Sequence, residues 1–396
     1  MFERNPVEHI GISKMRRETS SEQPRIPPIA TRFMKENYHD AKQDLYGAFV
    51  VRGIEFSHDS GLLAIIIGDT WMSIKSFEAL RLRLLNGYAF DSFIHMRDVS
   101  NHPDIFGANA AFVLSMGESH GRHAPFIRLT SLGSDRKDHN LRFALAQRTQ
   151  DAGFYLASGI DFAAIPGAPI VYWLSEKMRA AFKTGSSLSE VANLRQGLAT
   201  ADNNRFLRQW WEVSRHRTAF ACTSREEAAA SGARWFPYNK GGEFRKWYGN
   251  QEHVVNWEND GAEIFDFKPR SVIRNPSTYF SPSVSWSKVS SGAPAFRSYP
   301  SGFIFDVAGT SIFAETSQQR AGLLSFANSQ VALEQLGAIA PTLNYEVGQV
   351  AALPVINLSA EGVHILAAKA VDQAKADWDS FETSWEFTRN PLVELS

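Results

Sequence analysis

An eight-residue run, GLLAIIIG at 61–68, constrains the fold of this chain more than any other feature. A short, unbroken apolar run rich in β-branched residues is typical of a strand buried on both faces within a parallel sheet. It is also far too short to cross a bilayer. Parallel sheets belong to α/β folds, in which ligands bind where the strands end. The run therefore predicts an α/β protein with a ligand-binding edge at residues 69–72.

The residues on either side predict the elements that accompany this strand. The spacing of apolar side chains predicts an amphipathic helix that begins near Asp40 or Asp44, and then a second helix and two more strands. Their expected positions are 44–56 and 73–85 for the helices, and 90–96 and 110–116 for the strands. This order corresponds to the second half of a doubly wound sheet. No Gly-rich turn of the dinucleotide or P-loop type precedes residue 60, so the sequence offers no first half.

Composition divides the chain into five segments. Residues 1–32 have little periodicity and are predicted to be an irregular leader, and 33–130 hold the sheet. A charged, mixed stretch at 131–160 is predicted to be a linker. Residues 161–354 are predicted to form a second, α+β domain, with strand-like runs at 303–307 and 311–313 and a helix at 323–336. The tail, 355–396, is predicted to be helical and acidic, and is expected to face solvent or a further protein element.

Charge and cysteine content exclude several functional classes. The formal net charge is −1 and the sequence pI is about 6.8, so any polyanion site must be local. Cys222 is the only cysteine, which excludes an intrachain disulfide and a cysteine-based zinc site. His120 and His123 lie in a loop-like string, SHGRH, that holds no acid or cysteine to complete a metal site. The N-terminus lacks the apolar core of a signal peptide. We therefore expect a soluble cytoplasmic protein with no metal and no membrane contact.

One stretch, 195–250, departs from the neutral average of the chain. It holds ten Arg or Lys residues and five Asp or Glu residues. Basic side chains can hold a nucleic-acid backbone, while Asn suits adenine edges and Arg suits guanine or phosphate. A solvated basic surface, a polar turn and stems packed on aromatic rings are the alternatives, and charge alone leaves them open. The candidate DNA-binding residues are Arg195, Thr200, Asn203, Asn204, Arg205, Lys240, Arg245 and Lys246.

Two aromatic residues also stand near the predicted ligand edge. Phe106 lies at the tip of a loop that leads into the strand at 110–116. A base that leaves the duplex needs an aromatic plane to stack on, and Phe106 is placed to supply one. The alternative is a ring packed under its own loop. Phe49, on the predicted helix at 44–56, is open to the same alternative of a plain core residue.

Long strings of this sequence resemble a known family. DLYGAF (Asp44–Phe49), GLLAIIIGDTWM, FEALRLRLL and IFGANAAFVLSM resemble the later motifs of gamma-type N6-adenine DNA methyltransferases. The second half is similar to the PglX-type adenine-specific methyltransferases of BREX phage-defence systems. The strings that carry this similarity are RQGLATADNNRFLR, WFPYNKGGEFRKWYGN, VVNWENDG, FIFDVAGTSIF, APTLNYEVGQVAALPV and DWDSFETSWEF. Together they cover residues 33–396.

The resemblance implies a fold, a reaction and partners. The expected fold is the second half of a Rossmann-like methyltransferase sheet followed by an α+β target-recognition domain at 161–354. The implied reaction is methyl transfer from S-adenosylmethionine to adenine N6 at a defined site in double-stranded DNA. Phe49 would contact the adenine ring of the cofactor, and Phe106 would stack on the flipped base. Other phage-defence proteins are the further partners that the family suggests.

The sequence departs from the family at the catalytic motif. N6-adenine methyltransferases carry Asn/Asp-Pro-Pro-Tyr/Phe, whose preorganised acceptors hold the exocyclic amine. The nearest strings are Asn5-Pro6-Val7-Glu8, which lacks the second proline and the aromatic, and Pro27-Pro28, which lacks the Asn. The Gly-rich cofactor loop and the acidic residue for the ribose are not found either. We therefore expect a partial chain that does not methylate alone. The alternatives are a non-catalytic DNA-binding specificity or interaction subunit and a truncated remnant.

Overall fold

A computed structural model describes residues 27–42, 44–97, 108–117, 121–130, 136–290, 292–340, 342–356, 358 and 362–394. The fold is mixed α/β with several sheets. The α-helices are α1 (Pro28–Asn37), α2 (Leu45–Phe56), α3 (Glu78–Gly87), α4 (Lys137–Gln147), α5 (Gly159–Ala163), α6 (Glu176–Thr184), α7 (Leu188–Val191), α8 (Asn203–Phe206), α9 (Arg225–Ala230), α10 (Glu258–Asp266), α11 (Ser317–Ala327), α12 (Gln330–Ile339), α13 (Val347–Ala351), α14 (Val363–Asp379) and α15 (Pro391–Glu394). The strands are β1 (Leu62–Gly68), β2 (Ala89–Arg97), β3 (Ala108–Ser115), β4 (Ala124–Leu129), β5 (Phe154–Ala157), β6 (Ser186–Ser187), β7 (Asn193–Arg195), β8 (Leu207–Gln209), β9 (Trp235–Asn239), β10 (His253–Asn256), β11 (Ser283–Trp286), β12 (Phe296–Tyr299), β13 (Ile304–Phe305), β14 (Ser311–Phe313) and β15 (Pro354–Val355).

The first sheet has the strand order β1-β3-β2-β4-β5. Strand β3 is antiparallel to both β1 and β2, β2 is parallel to β4, and β5 is antiparallel to β4. Strands β1, β2 and β4 therefore run in one direction, and their carboxyl ends lie at one edge of the sheet. The strands predicted at 61–68, 90–96 and 110–116 are confirmed as β1, β2 and β3.

The predicted environment of β1 was wrong. It is the edge strand of the first sheet, it pairs antiparallel with β3, and it is not enclosed on both faces. Alternate side chains face out, and Leu62 and Ile66 are each 65% exposed. A continuous aliphatic run indicates an apolar strand, but it does not indicate how many strands pair with it or in which direction they run. Among the described strands, only β3 pairs with β1.

The helix beside β1 begins where its capping residue predicts. The Asp44 carboxylate accepts a hydrogen bond from the backbone N–H of Tyr46, which satisfies one of the free donors of the first turn of α2. The helix buries Val50, Val51 and Ile54. The helix predicted at 73–85 begins later, at α3, because a separate 3₁₀ turn at Lys75–Phe77 occupies its expected start and buries Phe77.

The segment at 131–160 is not a linker over its described residues. It contains α4 and strand β5, which completes the first sheet. Ala144 of α4 packs with Ile127, Leu129 and Phe154 in a small core of its own. Since α4 buries only that one residue and exposes its charged side chains, its composition resembles that of a linker. In the predicted leader, α1 begins at Pro28, and residues 1–26 lie outside the described residues.

Two four-stranded sheets follow, with the orders β13-β9-β10-β8 and β12-β11-β14-β7. The sheet β12-β11-β14-β7 packs into the same core as the five-stranded first sheet. The sheet β13-β9-β10-β8 packs around a separate core that contains Phe236 and Trp257. The single helix predicted at 323–336 was wrong, because α11 ends before Asn328 and α12 is capped by Ser329. The Asn328 side chain instead bonds the backbone of Phe296.

The acidic tail folds back onto the preceding residues. Helix α14 covers much of it, and Trp378 near its end is buried. The indole N–H of Trp210 donates to the carbonyl of Thr383 over 2.9 Å. The tail therefore covers part of the surface formed by 195–250. Within the described ranges, no helix is long and apolar enough to cross a membrane, and no group of three or more His, Cys, Asp or Glu side chains is placed to hold a metal ion.

Candidate nucleic-acid interface and ligand edge

The loop that leads into α8 presents amide side chains on a built turn. Thr200 is buried, and its hydroxyl donates to the Asn203 side-chain oxygen over 2.8 Å. Asp202 caps α8 by accepting from the N–H of Arg205. Asn203 and Asn204 are exposed on the first turn of that helix. The structure thus gives Thr200 an internal bond and leaves the two amides at the surface.

Three of the candidate cations already have carboxylate partners. Arg205 makes two hydrogen bonds to Glu263, of 2.9 and 2.7 Å. Lys240 lies 2.7 Å from Asp306, a residue only 2% exposed. Arg245 lies 2.9 Å from Asp377 of the tail. Each pair cancels its own charge, so the excess of bases over acids in this stretch overstates the field available to a phosphate.

The Lys240 site borders the separate core around Phe236 and Trp257. The hydroxyl of Tyr238 donates to the same Asp306 oxygen over 2.7 Å, and burial raises the pKa of Tyr238 well above its ordinary value. Nearby, Gly197 approaches Phe305 so closely that a Cβ would lie 1.8 Å from the Phe305 carbonyl oxygen. Packing in and beside the core is therefore enough to explain why Gly197, Tyr238 and Lys240 occur at these positions.

Two candidate cations have no carboxylate partner in the described part of the chain. The exposed Arg195 reaches the side-chain oxygen of Asn193 over 3.4 Å. The Lys246 ammonium donates to the backbone carbonyl of Asn328 over 3.2 Å. Their described partners are neutral oxygens, so neither cation is offset by a carboxylate and both can attract an anion.

A further group of cations, counted within 195–250 but not among the candidate DNA-binding residues, lies on an adjoining surface. The Arg208 guanidinium donates to the Asn204 carbonyl and lies 5.8 Å from the Trp235 ring, which Arg234 approaches from 5.4 Å. Arg215 lies over the Phe220 ring at 5.2 Å. We call this surface the Arg208 strip, and it consists of Asn204, Arg208, Arg215, Arg217, Arg234 and Trp235.

The Arg208 strip keeps most of its charge. Glu258 is shared by Arg217 and Arg234. Neither Arg208 nor Arg215 forms an ion pair with any described residue. Among these four cations only Arg217 and Arg234 face a described carboxylate, so the strip remains basic. The signal in the sequence was the interleaving of Arg with Trp and Phe from 208 to 235, since aromatic faces hold guanidinium groups at a surface.

A separate cluster of polar side chains lies at the carboxyl edge of the first sheet. Asp69, directly after β1, lies 3.1 Å from the Nε2 of His95 on β2. The His95 Nδ1 lies 3.0 Å from the hydroxyl of the buried Tyr172. Strand β3 runs between them, and it contributes only the small Ala110 at that level. The two side chains can therefore meet across it.

Helix α2 borders the same edge. The Tyr46 hydroxyl lies 2.7 Å from the Thr70 hydroxyl, and the Tyr46 ring stacks on Phe77. Burial raises the pKa of Tyr46 to about 12. Phe49 follows one helical turn later and is 66% exposed, so its ring is not a core residue. Phe106 lies outside the described residues.

Comparison with known proteins identifies relatives. The family model for the Eco57I restriction-modification methylase matches residues 15–102. The chain is 32% identical over 379 residues to the adenine-specific methyltransferase PglX of Lacticaseibacillus casei (strain Zhang), covering 93% of this chain and 31% of that protein. It is 33% identical over 369 residues to the adenine-specific methyltransferase BrxX of Escherichia coli O9:H4 (strain HS), covering 91% of this chain and 29% of that protein.

A solved structure shares the fold. It is that of MmeI, a Type IIL restriction-modification enzyme in complex with DNA, with a TM-score of 0.50 and 12% identity. The match covers 91% of this chain and 48% of that one. At that identity the likeness concerns the fold alone. The chain spans about 30% of the length of the two curated relatives.

Proposed function

Since this chain is a homologue of the PglX and BrxX adenine-specific methyltransferases along more than nine-tenths of its length, we propose that it is the DNA-recognising portion of such an enzyme. The substrate class is double-stranded DNA that contains adenine, and the reaction of the whole enzyme is methyl transfer to adenine N6. The observation that carries this proposal on the molecule itself is the basic Arg208 strip beside the exposed amides of α8.

The first sheet supports a place in a Rossmann-like methyltransferase domain. Its three co-directional strands end at one edge, and α2 and α3 lie on either side of β1 in the chain. Among the described strands, β1 pairs only with β3, so its other backbone edge is unpaired, and its residues include no charge or proline, a combination that folded proteins avoid at a free edge. We propose that this edge pairs with the strands that complete the sheet.

The cofactor of this family is S-adenosylmethionine, which supplies an electrophilic methyl group. The ring of Phe49 fits an adenine because it is exposed, and because it lies on the face of α2 that carries Tyr46 to the strand ends. Phe49 would stack on the cofactor's adenine and orient it. The exclusion of water from that ring would add to its binding.

The chain itself is expected to bind DNA without methylating it. No Asn/Asp-Pro-Pro-Tyr/Phe string occurs in the 396 residues, so the acceptors that hold the target amine have no counterpart of that form. Incubation with S-adenosylmethionine and DNA, followed by detection of N6-methyladenine, tests this point. Methylated adenine in that assay would contradict the proposal. A non-catalytic specificity subunit is the second candidate, because the residues that support it are the same amides and cations.

Salt dependence of DNA binding tests the recognition role. Each phosphate contact that is lost should flatten the slope of log affinity against log salt by about one unit. The double variant Arg208→Ala/Arg215→Ala is therefore expected to bind more weakly and with a slope smaller by about two units. The matched control is Arg32→Ala/Arg142→Ala, which removes two cations from exposed ion pairs on α1 and α4. Equal slopes for wild type and Arg208 variant would leave the strip as plain surface.

A further inference from the structure

The polar group at the carboxyl edge of the first sheet has a defined hydrogen-bond order. Tyr172 is buried, and desolvation raises the pKa of its hydroxyl well above the ordinary value, so the group keeps its proton. Its hydroxyl lies 3.0 Å from Nδ1 of His95, and Nε2 of the same ring lies 3.1 Å from the Asp69 carboxylate. Because a carboxylate only accepts, Nε2–H donates to Asp69, and Nδ1 can accept from the Tyr172 hydroxyl. These two hydrogen bonds fix the orientation of the His95 ring and of the Asp69 carboxylate.

One oxygen of Asp69 is left for another molecule. His95 engages Oδ2, and Oδ1 takes part in no hydrogen bond with any described residue. The Asp69 side chain is 29% exposed and that of His95 is 10% exposed, so Asp69 is the member of the pair that faces solvent. A carboxylate that is oriented by a hydrogen bond to one oxygen and is partly exposed to solvent is a preorganised acceptor. The neighbouring helix adds the exposed ring of Phe49.

An acceptor beside an aromatic plane suits a flat heterocycle with an amino group. Carboxylates accept from exocyclic amines of bases, and rings stack on aromatic side chains. We propose that Asp69, positioned by His95 and Tyr172, accepts a hydrogen bond from the exocyclic amino group of an adenine bound at this edge. The inference rests on the proposed function, in which adenine occurs both in the cofactor and in the DNA. His95 and Tyr172 are positioning residues, since neither is open to the ligand.

The ring chemistry is tested with adenosine and purine riboside, which differ only by the exocyclic amine. Isothermal titration calorimetry on the full chain is expected to show adenosine binding more tightly by at least about tenfold, the usual effect of a hydrogen bond to a charged group. Asp69→Ala is expected to abolish that preference and leave purine riboside affinity unchanged. Asp138→Ala removes an exposed carboxylate on α4 and is the matched control.

The positioning role has its own measurement. Tyr172→Phe keeps the ring that stacks on Phe126 and removes only the donor to His95. It is expected to lower the adenosine preference by a few-fold and to change the ¹⁵N shifts of the His95 ring, which report the tautomer. A residue that only supports the fold would weaken both nucleosides equally. Because Tyr172→Phe is nearly isosteric, it keeps the test open if Asp69→Ala does not fold.

Competition assigns the source of the adenine. Displacement of adenosine by S-adenosylhomocysteine identifies a cofactor ring, and displacement by an oligodeoxyadenylate alone identifies a target base. Absence of adenosine binding at millimolar concentration, equal affinity for the two nucleosides, or an equal loss for both in Asp69→Ala would overturn the inference. If the chain binds DNA but does not prefer adenosine over purine riboside, only the role proposed for Asp69 is refuted. Loss of salt-dependent DNA binding with the preference intact refutes the recognition proposal instead.

Discussion

Arg245 and Asp377 are joined by a 2.9 Å ion pair that fastens the acidic tail to the basic stretch 132 residues earlier. The Arg245 guanidinium also lies 5.0 Å from the ring of Trp378, which is buried beside it. A base that sequence reasoning assigned to DNA is thus held by the tail of the same chain. Its partner is 62% exposed, so the contact is open to solvent and to salt.

Asp377→Asn is expected to release the charge of Arg245. The tail should remain docked, because Trp378 and the Trp210 bond to Thr383 are unaffected. An exposed pair contributes about 0 to 1 kcal/mol, so urea unfolding should shift little. DNA binding should strengthen, with a salt slope steeper by about one unit if Arg245 then reaches a phosphate. An unchanged slope would show that Arg245 serves only the tail. Asp138→Asn is the control.

Lys240 is expected to matter for stability far more than Arg205, although both were assigned to DNA. Lys240→Met leaves Asp306 buried with its charge unpaired, and breaking such a pair costs about 3 to 5 kcal/mol. Arg205→Met breaks an exposed pair with Glu263, which is worth about 1 kcal/mol or less. Urea denaturation of the two variants measures the difference. Similar losses for both would contradict the packing role given to Lys240.

The strands of the first sheet could be predicted from local pattern, and their pairing could not. Alternation and β-branched residues identify β1, β2 and β3, because these depend on neighbours in the chain. That β3 inserts between the other two depends on contacts that sequence spacing does not encode. The same reason explains α4, which has so few buried residues that a surface helix and a linker look alike.

The sequence proposes a region for the candidate site and does not resolve the state of its residues. A net excess of bases identifies 195–250 as a basic stretch, but charge counts cannot show which cations face a carboxylate. Asp306 and Asp377 lie 66 and 132 residues from Lys240 and Arg245. Asp69 and His95 were not predicted as a pair, since they come together only across Ala110 of the intervening strand. Fold-level contacts decide both cases.

Asn204 is expected to contribute to sequence preference and not to salt dependence. It is exposed, it lies beside Arg208, and its amide can both donate to and accept from an adenine edge. Asn204→Ala should reduce the ratio of affinities for the preferred and unrelated duplexes by about tenfold, the effect of losing one base contact. The salt slope should stay the same, because no phosphate contact is removed. A changed slope with an unchanged ratio would instead make Asn204 a backbone contact.

His253 is expected to make the fold sensitive to acid. Burial on β10 lowers its pKa below the ordinary value, against the opposing effect of Glu252, Asp306 and Glu212, and Lys240 adds to the lowering. The unfolded chain therefore binds the proton more readily than the folded chain does. Stability is fully present above the unfolded value of about 6.5 and is lost as the pH falls below it. His253→Gln should lose less stability on acidification, because glutamine does not titrate. Urea unfolding of both proteins between about pH 5 and pH 7.5 measures this. If the variant is the less stable protein at neutral pH, the two free energies of unfolding should converge as the pH falls. Parallel curves across that range would assign the acid sensitivity to other groups.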